Sequence, residues 1–165
     1  NNDLANNYGN LCQRVFSFTK KNCNNKIPEP DKLLEEDLKL SNNLKDDVSM
    51  LIDQVNKQNL SLYIKKVVNY SFEANKYFND CTPWSLKKDN IKRMNTILYT
   101  IIEQIKNISI LLLPIIPIAA NKTLDTLNIK NEDRFLKNIM KKKCLNHDVE
   151  LKSCEILFKK IENDN

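Results

Sequence analysis

A chain of 165 residues, 41% of them hydrophobic, is long and apolar enough to fold around one core. It contains a single glycine, which disfavours β-hairpin proteins, Rossmann units and phosphate-binding loops, because their turns depend on glycine. The formal net charge of +5 suits an anionic partner only mildly. The composition predicts an all-α protein, and the apolar spacing indicates a bundle of four to five main helices.

Few residues in the sequence suit catalysis or metal binding. The five cysteines form no CxxC pair and His147 stands alone, so neither a zinc site nor a disulfide framework is expected, and the compartment should be reducing. The longest apolar stretch, residues 108–120, contains two prolines, and we expect no membrane partner. Because the chain starts without methionine, we expect it to be a fragment of a longer protein.

The first predicted helix runs from about Asp3 to Lys21. Its apolar residues recur every three or four positions, and Asn7, Asn10 and Arg14 fall on the opposite, solvated side. Asn10 and Arg14 are four residues apart, so both side chains project from one face.

A proline-containing loop, residues 22–30, separates this helix from helical segments at 31–56 and about 60–79. Ile64 is expected on the buried stripe of the second segment. That helix ends before Pro83, which places Trp84, the only tryptophan, in a turn just beyond it.

The remaining chain contains the most apolar predicted helix. Ser85 is expected to cap it, and it should run from about Leu86 to Leu113 through the centre of the bundle. One more helix is predicted over residues 118–127. The tail at 150–161 is expected to lie against another surface.

An aromatic ring near an amide and a guanidinium is a combination that holds an unstacked RNA base. The ring stacks on the base, while the amide and guanidinium bond its edges. Taken alone, Asn10 and Arg14 also fit an ordinary solvated face, and Trp84 an ordinary plug at a bundle end.

Four segments also occur in the order and spacing typical of one family. The chain resembles the anticodon-binding domain of bacterial-type methionyl-tRNA synthetases over nearly all of its 165 residues. The catalytic signatures and zinc-binding insertion of that family are absent, so this fragment should be inactive alone. The matching segments are Gly9-Asn10-Leu11-x-x-Arg14, Ala74-Asn75-Lys76-Tyr77-Phe78 followed by Pro83-Trp84, Leu112-Leu113-Pro114-Ile115-Ile116-Pro117, and Leu157-Phe158-Lys159-Lys160-Ile161.

The resemblance implies specific roles for five residues. Asn10 and Arg14 would read the first anticodon base, a cytosine, while Trp84 stacks on the CAU anticodon of tRNA(Met). Pro83 and Asn79 would shape the same pocket. No catalytic, cofactor-binding or metal-binding residue is implied here.

The resemblance also implies a division of the chain and a set of partners. Residues 1–127 would form the anticodon-binding bundle, and residues 128–165 an extension that packs back on the catalytic core. The partners would be the anticodon loop and the enzyme's own catalytic domain, with no DNA. The whole methionine–tRNA ligase would use ATP with magnesium, in the cytoplasm.

Two alternatives stay open. The first is the anticodon domain of another class I synthetase, for cysteine, leucine, isoleucine or valine, since these share a helical bundle. The second is a helical protein-interaction module, which would need a contiguous apolar surface. The sequence shows no exposed apolar stripe that demands one.

Overall fold

The computed structural model describes residues 4–140, 144–153 and 157–158, and within them it contains helices and no β-strand. The predicted all-α bundle is confirmed. In the described part of the chain, no helix is both long and apolar enough to span a lipid bilayer. The α-helices are α1 (Asn10–Asn22), α2 (Glu35–Asn56), α3 (Leu60–Cys81), α4 (Ile91–Leu112), α5 (Pro117–Thr126) and α6 (Leu136–Met140), with a π-helical segment at Leu4–Gly9 and 3₁₀ turns at Pro83–Ser85 and Asn131–Asp133.

Helix α4 forms the centre of the bundle, as predicted. Every residue from Thr96 to Leu112 is buried, and the helix packs against α1, α2, α3 and α5. A helix that is buried on all sides over this length must be enclosed by its neighbours, which explains why other helices surround it. Its buried apolar side chains form the central part of the hydrophobic core, to which every other α-helix also contributes.

The start of α4 differs from the prediction. Asn90 caps the helix, because its side-chain Oδ1 accepts a hydrogen bond from the Arg93 backbone N–H at 3.1 Å. The predicted cap, Ser85, lies instead in the preceding 3₁₀ turn and donates from Oγ to the Thr82 carbonyl at 2.8 Å. Serine and asparagine both cap helices well, so local preference alone does not show which of the two begins the helix.

The predicted solvated position of Asn7 was also wrong. Asn7 is 3% exposed, and its Oδ1 accepts a hydrogen bond from Asn75 Nδ2 at 2.8 Å. Its own Nδ2 donates to the Val68 carbonyl at 3.3 Å. Residues 4–9 are π-helical, so they do not follow the 3.6-residue spacing on which the prediction depended.

Helix α3 carries an apolar surface that the sequence did not predict. Ile64 is 36% exposed rather than buried, and Phe72, two turns later, is 50% exposed. With Leu62 and Val68 they line an open groove along this helix. The predicted burial of Ile64 was therefore wrong, and the sequence did not predict this exposed apolar groove.

A fully buried carboxylate joins three helices at one end of the bundle. Asp37, near the start of α2, accepts hydrogen bonds from Arg93 Nη1 at 2.5 Å and from Arg93 Nη2 at 2.9 Å. It also accepts one from the Tyr77 hydroxyl of α3 and one from the Leu34 backbone N–H at 2.8 Å. Burial opposes ionisation, but the hydrogen bonds from Arg93, Tyr77 and Leu34 outweigh it and hold the pKa of Asp37 below its usual value.

The described part of the C-terminal extension packs on the bundle of the same chain. The Tyr99 hydroxyl of α4 donates to the Leu145 carbonyl at 2.6 Å, and the Ile27 N–H donates to the Val149 carbonyl at 2.9 Å. The ring of Phe158 meets the ring of Tyr8 edge-on, with centroids 6.4 Å apart. Docking of residues 128–165 on a catalytic core stays a prediction.

We expect Asp37→Asn to lower the free energy of unfolding by roughly 3 kcal/mol at pH 7, because it removes the buried charged partner of Arg93 and leaves only the exposed Glu36 to pair with it. The folded-state pKa of Asp37 is depressed, so its ionisation stabilises the fold above pH ~4, and this contribution falls as pH drops through the folded-state pKa. Urea unfolding of both proteins from pH 7 down to pH ~3 should therefore show the difference shrinking. Asp53→Asn, which removes an exposed pair with Lys57, should change stability by less than about 1 kcal/mol. A difference independent of pH would contradict the role of the Asp37 charge.

The only glycine allows Phe158 to approach the chain closely. A Cβ added at Gly9 would lie 2.8 Å from Cδ2 of Phe158, so Gly9→Ala should displace that ring and destabilise the protein. In a Phe158→Ala background, the same substitution should be neutral or stabilising by up to roughly 1 kcal/mol, because alanine loses less backbone entropy in a helix. Thermal unfolding should be measured for the unsubstituted protein, Gly9→Ala, Phe158→Ala and the double variant, which together form a double-mutant cycle. An equal effect of Gly9→Ala in both backgrounds would show that Phe158 is not the obstacle.

Candidate functional site

A strained turn after α3 presents the only tryptophan at the surface. Thr82 adopts the left-handed conformation (φ 40°, ψ 57°), which reverses the chain directly after Cys81. Pro83, which is buried, opens the following 3₁₀ turn with its fixed φ, and Trp84 comes next with 43% of its surface exposed. The left-handed region is costly for a β-branched residue, on the order of 1–3 kcal/mol. Surrounding contacts therefore hold this turn in place.

The side chain of Arg14 is held from two sides. Its Nη2 donates to Asn79 Oδ1, in the last turns of α3, at 2.8 Å. Its guanidinium carbon lies 5.2 Å from the centroid of the Phe78 ring, a cation–π geometry. A long and partly exposed side chain is thereby fixed in one direction.

Phe78 connects Arg14 with the tryptophan. Its ring is 2% exposed and meets Trp84 edge-on, with centroids 5.7 Å apart and planes at 80°. On its other side it meets Phe18 of α1 edge-on, with centroids 6.3 Å apart. We call Phe18, Phe78 and Trp84 the ring row. Edge-to-face pairs of this kind contribute roughly 0.5–1.5 kcal/mol each beyond their burial.

Four of the five predicted site residues lie within this small region. Arg14 and Asn79 are hydrogen-bonded, Trp84 contacts the ring beneath Arg14, and Pro83 shapes the turn. Asn10 lies exposed at the start of α1, one turn before Arg14 and on the same helical face. The family resemblance implied one pocket for these residues, and the hydrogen bond between Arg14 of α1 and Asn79 of α3 is a contact that the sequence did not predict.

The ring contacts of Phe78 and Phe18 were not predicted. Both residues fit the apolar stripes of their helices, so their spacing alone does not separate them from the core. The one available signal was Phe78 standing next to Asn79 and six residues before Trp84. That proximity does not reveal the contact with Arg14, which crosses between two helices.

The arrangement suits recognition of a planar group with polar edges. An exposed indole offers a face for stacking, while a guanidinium presents several N–H donors in one plane. Asn10 adds an amide that both donates and accepts. Flat heteroaromatic rings with acceptor atoms, such as unpaired nucleic acid bases, fit this chemistry.

Comparisons with known proteins agree on one family. A family model described as the anticodon binding domain of methionyl tRNA ligase matches residues 27–165, which include Asn79, Pro83 and Trp84 but not Asn10 or Arg14. A methionine–tRNA ligase of Rickettsia felis is 33% identical over 99% of this chain and 33% of its own length. One of Brucella suis is 34% identical over 85% of this chain and 27% of its own length. The chain thus spans about a third of the length of the curated relatives it matches.

Solved structures give the same result for the fold. The free form of Mycobacterium tuberculosis methionyl-tRNA synthetase superposes with a TM-score of 0.91 and 27% identity, covering 97% of this chain and 33% of that chain. The same synthetase in complex with methionyl-adenylate gives a TM-score of 0.90 over 96% of this chain and 31% of that chain.

The ring row can be tested through the single tryptophan. Phe78→Leu keeps an apolar side chain but removes the ring that packs against Trp84. Acrylamide should therefore quench the tryptophan fluorescence more efficiently. Stability should fall by about 1 kcal/mol. The control Phe16→Leu also shortens a buried phenylalanine, at a site outside the ring row, and should leave quenching unchanged. Equal quenching in Phe78→Leu and the unsubstituted protein would contradict the contact.

Proposed function

The chain belongs to the family of methionyl-tRNA ligase anticodon-binding domains, and from this membership we propose that it reads the CAU anticodon of tRNA(Met). The family resemblance predicted from the sequence motifs is thus confirmed. The observation that carries the proposal is the exposed Trp84 on a strained turn, in ring contact with the residue that also supports Arg14. Stacking and edge recognition are thereby available on one surface.

In this proposal Trp84 stacks on a base of the opened anticodon loop. Its ring meets Phe78 in an edge-to-face contact, which orients the indole, and the side chain stays 43% exposed. Stacking on an aromatic side chain contributes about 1–3 kcal/mol per base and tolerates any base. Trp84 therefore supplies affinity, and Pro83 holds it in the turn.

Arg14 and Asn10 would supply the base identity. Cytosine offers acceptors at O2 and N3, which guanidinium and carboxamide donors can satisfy. Asn79 uses its Oδ1 to hold one nitrogen of Arg14, and the planar guanidinium keeps further N–H donors for a base. On its Watson–Crick edge a guanine would present N1–H and amino donors where cytosine presents the N3 and O2 acceptors, so these groups would oppose the protein donors and stay unsatisfied.

The activity of the whole enzyme is part of the proposal. Attachment of methionine to tRNA with ATP and magnesium would take place on a separate catalytic domain, in the cytoplasm. No residue described here is assigned a catalytic step. Reading the anticodon would use binding energy to position the tRNA so that its acceptor end reaches that distant site.

The contact with the catalytic domain is a second part of the proposal. We infer that residues 128–165 contribute to it, although their described parts already pack on this bundle. The apolar groove along α3, with Ile64 and Phe72, also offers a surface to a protein partner. Family membership also favours the methionine enzyme over the first alternative, the anticodon domain of another class I synthetase.

The proposal is tested by fluorescence anisotropy with a CAU anticodon stem-loop and a matched hairpin whose first anticodon base is guanine. The chain should prefer the CAU hairpin. Trp84→Ala should raise Kd for the CAU hairpin roughly 5- to 150-fold, the equivalent of about 1–3 kcal/mol. Arg14→Ala should reduce the preference between the hairpins, because it removes donors that distinguish cytosine from guanine.

Two distant substitutions serve as controls. Phe72→Ala removes an exposed aromatic ring and Lys65→Ala an exposed cation, both on α3 and outside the ring row. Each should leave the preference unchanged, and circular dichroism should confirm the helical content of every variant. Equal binding of both hairpins, insensitive to Trp84→Ala and Arg14→Ala, would refute the proposal.

A further inference from the structure

A second cation sits on the ring row, at the end opposite the tryptophan. The Nζ atom of Lys87 lies 4.9 Å from the centroid of the Phe18 ring. Lys87 itself is exposed and follows Trp84 by three residues, in the segment between the 3₁₀ turn and α4. The ring row thus carries Arg14 over Phe78 and Lys87 over Phe18.

From this placement we propose that Lys87 binds a backbone phosphate of the RNA loop whose base stacks on Trp84. The inference rests on the proposed function and assigns a separate task within it. Arg14 and Asn10 distinguish the base, whereas Lys87 neutralises the backbone and is indifferent to sequence.

Lys87 lies close enough to the tryptophan in the chain to reach a strand bound there. It follows Trp84 by three residues, and its ammonium lies over Phe18 of α1, so the backbone next to a base stacked on Trp84 would come within its reach. An ammonium is a compact point charge with three donors, which suits a phosphate oxygen rather than the flat edge of a base.

The ring contact prepares the ammonium for binding. An exposed lysine normally loses much rotamer freedom when it binds a phosphate. Phe18 limits that freedom beforehand, because the cation–π attraction keeps the ammonium near the ring face. Phe18 is in turn fixed by its edge-on contact with Phe78.

The surrounding charge also favours an anion. Helix α1, which forms one side of the ring row, contains Arg14, Lys20 and Lys21 and no acidic residue. Lys88 follows Lys87 directly. The carboxylates closest in sequence to the turn are Asp80 and Asp89, and both are exposed to solvent, where salt and water screen them.

The experiment measures the salt dependence of binding for both hairpins, with the unsubstituted chain, Lys87→Ala and Lys87→Arg. If Lys87 neutralises one phosphate, Lys87→Ala should reduce the slope of log K against log salt by about 0.7. Affinity should fall by the same factor for both hairpins, so that the CAU preference is kept. Lys87→Arg should restore the slope, since arginine also binds phosphate and stacks on rings. Lys65→Ala, an equal charge change elsewhere on the surface, should leave the slope unaltered.

A second arm locates the phosphate. CAU hairpins with one uncharged methylphosphonate linkage at successive loop positions should each be bound by the unsubstituted chain and by Lys87→Ala. At one loop position the methylphosphonate should weaken binding of the hairpin to the unsubstituted chain. At that position it should have no effect on binding to Lys87→Ala.

The possible outcomes separate this inference from the proposed function. A CAU preference that survives together with an unchanged salt slope in Lys87→Ala would overturn the role of Lys87 alone. Loss of the preference in Lys87→Ala would make it a base contact, which also overturns the inference. Absence of any CAU preference in the unsubstituted chain would refute the proposed function, and the inference with it.

Discussion

The bundle depends on the buried charge of Asp37 at the end where the candidate site lies. This one carboxylate joins the start of α2 to Tyr77 of α3 and to Arg93 of α4. Such a cluster is stable only when every group in it is paired, because an unpaired charge would be excluded from the interior. Asp37 receives four hydrogen bonds from three groups, and Arg93 has a further partner in Glu36 at 3.0 Å. The relative positions of three helix ends are therefore fixed by directional bonds as well as by apolar packing.

The last turns of α3 transmit this constraint to the surface. Tyr77 faces the buried carboxylate, while its neighbours Phe78 and Asn79 face α1 and hold Arg14. A helix places successive residues about 100° apart, so adjacent positions reach different neighbours. The same three residues thus anchor α3 from within and support the candidate site from beneath. A left-handed Thr82 directly after this anchored segment is tolerated because the chain on both sides is held.

The sequence could predict those features of the structure that are determined by residues within one segment, but not those determined by contacts between distant segments. The helices, the central position of α4 and the shared face of Asn10 and Arg14 all follow from spacing within one segment. The π-helical segment that buries Asn7 is set by distant partners, Asn75 and Val68, which no local pattern reveals. The choice between Ser85 and Asn90 as the cap was likewise decided by the turn that Ser85 completes with Thr82.

The candidate site shows the same limit. Motif resemblance pointed to Trp84, Arg14 and Asn79, but only the folded chain shows that one buried ring, Phe78, contacts both Trp84 and Arg14. Phe78 fits a core stripe and in fact belongs to the core, so its second role has no separate sequence signature.

The division of labour across the ring row follows from the geometry of its cations. A guanidinium held by an amide on one side and a ring on the other has a fixed plane, and fixed donors can reject a base whose own donors oppose them. An ammonium over a ring is kept near one place but can rotate its three donors freely. The first arrangement therefore suits base discrimination and the second suits attraction to the backbone. A single row of three rings can support both tasks because Arg14 lies over its middle ring, Phe78, and Lys87 lies over its end ring, Phe18. The exposed tryptophan between α3 and α4 provides the stacking surface that both tasks require.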